Sequence, residues 1–140
     1  CGGQQLDLEW EGRSLDRGEL MAIHLRKTSA LIRAACLMGV AAAGGTTEQA
    51  DAAQRYADAL GLAFQIEDDI LDIEGDEKTL GKSIGKDAAS EKSTFPSLLG
   101  LDACRKLAGE LTEQAVAALT PYEGRAFLET LARSLTGRKS

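Results

Sequence analysis

Proline is almost missing from this chain, and its scarcity places the strongest constraint on the fold. The 140 residues contain only Pro96 and Pro121, whereas alanine and leucine are abundant. Proline breaks helix interiors, and alanine and leucine are among the residues that most favour a helix. No segment shows the alternation of apolar and polar residues that marks a half-buried strand. The sequence therefore predicts one all-α domain, residues 1–140, because this length can bury a hydrophobic core.

Glycines and capping residues divide the first half of this helical sequence. A helix is predicted to begin after a cap at Asp16 and to run as far as Gly44. Thr46 or Thr47 can cap the next helix, which Gly75 is expected to end.

The second half is predicted to contain a loop and two further helices. Residues 75–90 are rich in glycine and charge, a composition typical of a surface loop. The following helix should begin between Ser93 and Pro96, because proline suits the first turn of a helix. Pro121 is expected to open a last helix that ends near Leu135.

Charge and cysteine usage exclude several classes of protein. Sixteen basic and 22 acidic residues give a net charge of −6, which argues against a nucleic-acid-binding protein. No apolar run reaches the roughly 20 residues that a bilayer-spanning helix needs, so the chain is not expected to be membrane-embedded. The three cysteines are widely spaced and form no zinc-binding or disulfide pattern, which favours a reducing, cytoplasmic location.

Three aspartates lie in an otherwise apolar segment, FQIEDDILDIEGD, of the helix that follows Thr47. They are Asp68, Asp69 and Asp72. On a helical wheel of about 100° per residue, these carboxylates and the amide of Gln65 fall within about one quarter of the surface. Large apolar residues border this arc on both sides, which is unusual for a solvent-facing stripe. The pattern favours a core helix whose carboxylates line an interior cleft.

This acidic cluster has two interpretations that its spacing alone does not separate. Ionised carboxylates this close repel one another unless a cation neutralises them. Hard oxygen ligands suit Mg²⁺, which typically takes one or two carboxylates together with water and substrate phosphates. A magnesium site for a phosphorylated ligand is therefore one interpretation, and an ordinary acidic helix face is the other, because such clusters also arise by chance.

Five motifs, in order, resemble the second half of short-chain trans-polyprenyl diphosphate synthases, with bacterial farnesyl diphosphate synthases (geranyltranstransferases) the nearest type. The motifs are GGQQLDLEWEG, HLRKTSALIRAA, GLAFQIEDDILDIEGD, TLGKSIGKD and EKSTFPSLLG. The resemblance implies the C-terminal half of an isoprenoid-synthase helical bundle. It also implies a prenyltransferase that condenses dimethylallyl or geranyl diphosphate with isopentenyl diphosphate to make farnesyl, geranyl or geranylgeranyl diphosphate.

The resemblance also assigns a metal site. Asp68, Asp69 and Asp72 match the second of the family's two aspartate-rich motifs, which bind Mg²⁺. Asp68 is the expected direct ligand, and Asp69 and Asp72 are expected to hold metal-bound water.

Catalytic and diphosphate-binding roles follow from the other motifs in the same way. Lys27 matches a lysine that binds the allylic diphosphate, and Thr28 and Gln65 would stabilise the cation near the reacting carbons. Gln4 is expected to contact the diphosphate, and Asp7 to orient Lys27.

Two further lysines, Lys82 and Lys92, match diphosphate-binding positions, although a solvated loop charge is the alternative for each. The single histidine, His24, is expected to have a structural or surface role.

The family's chains are much longer than this one, and their first half carries a second DDxxD-like motif. Nothing in residues 1–67 matches that motif. The chain is therefore expected to lack its N-terminal half, to be inactive alone, and to belong to an enzyme that is a homodimer when complete. The alternative is a non-catalytic helical partner subunit of a polyprenyl synthase. The Lys27–Thr28 pair and the LGKSIGKD segment argue against a terpene cyclase.

Overall fold

A computed structural model describes residues 18–19, 22, 28–80 and 94–137, and these ranges are built from helices joined by short turns. The helices are α1 (Ala30–Ala42), α2 (Thr47–Leu80), α3 (Phe95–Leu99), α4 (Leu101–Ala118) and α5 (Ala126–Thr136). No strand occurs within the described ranges, and the all-α prediction is confirmed. Within those ranges, no helix combines the length and the apolar character needed to cross a bilayer.

The long helix α2 is the centre of the fold, because it packs against each of the other four helices. Its buried side chains recur every three or four residues, which places them on one face of the helix. This face meets α4 most extensively and α1 next. Two apolar clusters result: Leu62, Ala63, Ile66, Ile70, Phe95, Cys104, Ala108 and Leu111 form the first, and Tyr56, Leu60, Ala115, Leu119 and Ala132 form the second.

The turn between α1 and α2 follows the sequence prediction. Gly44 has φ +66°, a left-handed conformation that ends a helix and that glycine adopts without strain. Thr46 then caps α2, since its hydroxyl accepts a hydrogen bond from Gln49 N–H at 3.3 Å. The Gln49 amide oxygen in return accepts from Thr46 N–H at 2.8 Å, which completes a capping box. The predicted helix start at Asp16 lies outside the described residues.

The predicted end of α2 at Gly75 is wrong, because the helix continues to Leu80. Gly75 is not among the described glycines with positive φ, and an interior glycine costs a helix only about 1 kcal/mol. Glu74 forms an ion pair with Arg105 of α4, so the adjoining turn of α2 is tied to its neighbour. The contact between α2 and α4 therefore outweighs the tendency of Gly75 to end the helix.

The single helix predicted around residues 93–120 is in fact two helices. Gly100 has φ +83° and separates α3 from α4. Thr94 caps α3 through a reciprocal pair of hydrogen bonds with Ser97, at 3.3 and 3.0 Å. Pro96 lies in the first turn of α3, as predicted.

The last helix begins later than the sequence suggested. Pro121 lies within a series of turns that includes Gly124 at φ +77° and runs to Arg125. Helix α5 starts at Ala126 rather than at the proline, and it ends at Thr136 close to the predicted end.

Tyr56 links α2 to α5, and its titration gives a test of the fold. The side chain is 1% exposed and its hydroxyl donates to the Leu128 carbonyl oxygen at 2.9 Å. Burial raises the pKa of Tyr56 to about 12. Because the folded pKa lies above the unfolded value of about 10, the neutral phenol stabilises the fold below pH 10 or so, and this stability is lost as pH rises towards 12.

Tyr56→Phe should therefore cost about 1 kcal/mol of unfolding free energy at neutral pH, through loss of one hydrogen bond. The deficit relative to wild type should shrink as the pH is raised from about 10 to 12, because only the wild type loses the phenol contribution. Urea denaturation of both proteins across this range measures the difference. A deficit that stays constant would contradict the buried position of this hydroxyl.

Candidate functional site

A glycine brings the segment before α1 close against α2. A Cβ atom at Gly61 would lie 2.4 Å from Ser29 Oγ and 2.7 Å from Ser29 Cα, so no larger residue fits without displacement. Ser29 is fully buried, and its hydroxyl has no hydrogen-bond partner in the structure as described. Thr28 and Ser29 form a π-helical turn that leads into α1, a local widening that often occurs at functional sites.

Hydrogen bonds join this turn to the acidic face of α2 and to the start of α3. Thr28 Oγ1 donates to Gln65 Oε1 at 3.1 Å, and Gln65 Nε2 donates to Asp69 Oδ1 at 3.2 Å. The other oxygen of that carboxylate, Asp69 Oδ2, accepts from Phe95 N–H at 3.2 Å. Gln65 and Asp69 are four residues apart on α2, the spacing that places two side chains on one face. The structure thus brings together residues from three separate parts of the sequence.

Asp69 is the most buried of the three aspartates, with 9% exposure. Burial raises the pKa of its carboxyl, and the nearby carboxylates of Asp72 and Asp68 act in the same direction. The hydrogen bonds from Phe95 and Gln65 oppose this rise in pKa by favouring the charged form. Both oxygens of Asp69 already accept hydrogen bonds from protein groups, and its role in holding metal-bound water stays a prediction.

The two remaining aspartates are more accessible: Asp68 is half-buried and Asp72 is exposed. Among the described residues, no three His, Cys, Asp or Glu side chains converge into a ready-made metal site. The carboxylates of Asp68 and Asp72 fit a hydrated Mg²⁺, because this ion commonly uses one or two carboxylates and completes its coordination shell with water and phosphate oxygens.

Several residues with predicted roles lie outside the described ranges, and their placement stays a prediction. They are Gln4, Asp7, His24, Lys27, Lys82 and Lys92.

Two contributors to the site were not identified from the sequence. Gly61 sets the approach of Ser29, and its signal was a lone glycine inside a strong helical pattern, which often marks close packing. The backbone N–H of Phe95 gives no signal in the sequence, because its contact with Asp69 depends on where α3 packs.

Comparisons with known proteins place this geometry in a family. The polyprenyl synthetase family model matches residues 1–123. Farnesyl diphosphate synthase from Escherichia coli (strain K12) is 49% identical over 116 residues, which cover 82% of this chain and 39% of that enzyme.

Solved structures agree with this match. Polyprenyl synthase from Caulobacter crescentus CB15, complexed with calcium and isoprenyl diphosphate, superposes with a TM-score of 0.84 at 29% identity, over 99% of this chain and 55% of that one. Geranyltransferase from Helicobacter pylori, complexed with magnesium and isoprenyl diphosphate, gives a TM-score of 0.72 at 31% identity. The match covers 96% of this chain and 45% of that one.

The chain spans less than half the length of curated relatives such as the Escherichia coli enzyme, of which it covers 39%. Within the chain itself the family match is nearly complete, and the resemblance drawn from the five motifs is confirmed. This protein chain belongs to the polyprenyl synthetase family.

Proposed function

We propose that this chain supplies the second half of the active site of a polyprenyl diphosphate synthase, which joins an allylic diphosphate to isopentenyl diphosphate. The observation that carries the proposal is the 3.1 Å hydrogen bond between Thr28 and Gln65, which are 37 residues apart in the sequence. This bond brings two of the family's motifs into contact. Gln65 lies one helical turn before Asp68 and Asp69 on α2. A chance acidic face would have no reason to lie beside Thr28.

In this reaction the allylic C–O bond breaks, diphosphate leaves, and the isopentenyl double bond forms a new C–C bond to the allylic carbon. Loss of a proton then restores a double bond. The Thr28 hydroxyl oxygen and the Gln65 carbonyl oxygen carry partial negative charge, which stabilises a neighbouring allylic cation. In the proposed site Lys27, Lys82, Lys92 and Gln4 hold the departing diphosphate, and Asp7 orients Lys27.

The metal we propose is Mg²⁺, held by Asp68 directly, with Asp69 and Asp72 behind it. When bound, Mg²⁺ supplies charge neutralisation for the departing diphosphate. The accessible carboxylates of Asp68 and Asp72 support this choice, since Mg²⁺ prefers oxygen ligands and keeps several waters. Two related structures support a divalent metal, one complexed with magnesium and the other with calcium.

We also propose that the complete enzyme is a cytoplasmic homodimer. Leu31 and Met38 are 76% and 66% exposed, and their seven-residue spacing places them on one face of α1. Exposed apolar side chains on one face favour coverage by further protein. Cys36 and Cys104 are free thiols, which fits a reducing compartment.

Turnover of isopentenyl and dimethylallyl diphosphates tests the proposed function. The 140-residue chain alone should form no farnesyl diphosphate, because it covers 39% of the Escherichia coli enzyme. Fused behind the first half of that enzyme, it should form product, and Asp68→Ala in the fusion should lower kcat by at least about 100-fold.

Asp51→Ala is the matched control, because Asp51 is an exposed residue of the same helix, far from Gln65. It should leave kcat unchanged. Robust product from the isolated chain would overturn the half-site proposal, and full activity of Asp68→Ala would overturn the role of that carboxylate.

A further inference from the structure

The hydrogen bonds around Asp69 run in one direction, and this direction decides which end of the Gln65 amide faces Thr28. Phe95 N–H can only donate, so Asp69 Oδ2 must accept. The other oxygen, Oδ1, also accepts, because the Gln65 Nε2–H group donates to it at 3.2 Å. Because Nε2 is committed to Asp69, the carbonyl oxygen of Gln65 is the end that faces Thr28.

We infer that Asp69 is a positioning residue whose two acceptor oxygens lock the Gln65 amide with its carbonyl oxygen towards Thr28. The catalytic meaning of this orientation rests on the proposed function. A carbonyl oxygen beside the reacting carbons stabilises an allylic cation, whereas an NH₂ group in the same place opposes it. Asp69 therefore acts on the reaction through Gln65.

Packing around Asp69 fixes the direction of the hydrogen bonds. Asp69 is 9% exposed and Phe95 is fully buried, so water cannot readily replace either partner. The capping box between Thr94 and Ser97 fixes the first turn of α3, from which the Phe95 N–H projects. Residue 69 must keep one oxygen towards the Phe95 N–H, because loss of the acceptor of a buried donor is costly.

The three aspartates therefore differ in function. Asp68 and Asp72 are the accessible carboxylates, and they are assigned to the proposed metal. Asp69, which the proposed site placed behind the metal, uses both of its oxygens for protein donors, so its role is reassigned here from the metal to the support of Gln65.

Asp69→Asn tests the inference because it preserves the shape of the side chain while it replaces one acceptor oxygen with an NH₂ donor and removes the negative charge. Asparagine has one acceptor oxygen and one NH₂ group. With the oxygen kept for Phe95 N–H, the NH₂ group faces Gln65, whose amide must rotate and turn its own NH₂ group towards Thr28.

Nuclear Overhauser contacts of the Gln65 side-chain amide protons in the labelled chain report this rotation. In the wild type they should reach the β protons of residue 69, and in Asp69→Asn they should move to the Thr28 methyl group. Asp72→Asn, an exposed change on the same helix, should leave them as in the wild type. Amide protons that face Thr28 in the wild type, or that stay on residue 69 in Asp69→Asn, would overturn the inference. The wild-type spectrum alone shows whether the Gln65 amide protons face Thr28, even if the variant does not fold.

Calorimetric titration with inorganic pyrophosphate and Mg²⁺ separates a positioning role from a metal-binding one. Asp68→Asn should weaken Mg²⁺-dependent binding by at least about tenfold, whereas Asp69→Asn should bind nearly as the wild type does. Equal losses in the two variants would overturn the inference. If the wild-type chain binds no pyrophosphate, the proposed function fails for this chain, and the Overhauser contacts alone decide the role of Asp69.

Discussion

Gly61→Val is expected to destabilise the fold and to separate the segment before α1 from α2. A Cβ atom at this position would meet Ser29 at 2.4, 2.7 and 2.8 Å, and one of the three atoms is the backbone Cα. Backbone cannot move aside as the end of a long side chain can, so the helices must shift. Overpacking of this kind costs about 1–3 kcal/mol, and valine should reach the upper end because it adds two further methyl groups.

The same change should also disturb the proposed site, because Thr28 is the neighbour of Ser29 and hydrogen-bonds to Gln65. Urea denaturation measures the loss of stability. Gly109→Ala is the matched control: Gly109 lies inside α4, and a Cβ there would meet nothing within 4 Å. This control should stabilise the protein by about 0.5–1 kcal/mol, the usual gain from glycine to alanine in a helix. Equal midpoints for Gly61→Val and the wild type would mean that the two segments do not approach so closely in solution.

The turn from α1 to α2 could be predicted from the sequence because its determinants are local. A left-handed glycine at position 44 and a capping box from Thr46 depend on a few adjacent residues. Gly75 and Gly100 were misread for the opposite reason. Glu74 ties α2 to α4 beside Gly75, whereas Gly100 adopts φ +83° within a segment whose local sequence favours one unbroken helix.

The acidic site was partly predictable in the same sense. Helical periodicity placed Gln65 and the three aspartates on one face of α2. It could not predict that this face divides into a buried Asp69 and an exposed Asp72. The division depends on Phe95, which is 26 residues further along the chain and reaches Asp69 only after α3 packs. The local sequence pattern was enough to identify these four residues as a group. Their separate roles could not be predicted, because they depend on tertiary contacts.

Asp68→Asn is expected to have the largest effect on ligand binding. In the proposed site the Asp68 carboxylate would bind Mg²⁺ directly. Asparagine removes the negative charge of this side chain with almost no change in shape. The affinity for pyrophosphate in the presence of Mg²⁺ should fall by at least about tenfold. Asp51→Asn makes the same chemical change at an exposed position of α2, about 25 Å away at roughly 1.5 Å per residue, and should have no effect.

The most direct test of the central claim is a calorimetric titration of this chain with pyrophosphate, with and without Mg²⁺. The proposed site predicts binding that requires Mg²⁺, that Asp51→Asn retains and that Asp68→Asn largely loses. Pyrophosphate binding of equal strength without Mg²⁺, or unchanged in Asp68→Asn, would contradict the assignment of this carboxylate to a metal-bridged diphosphate.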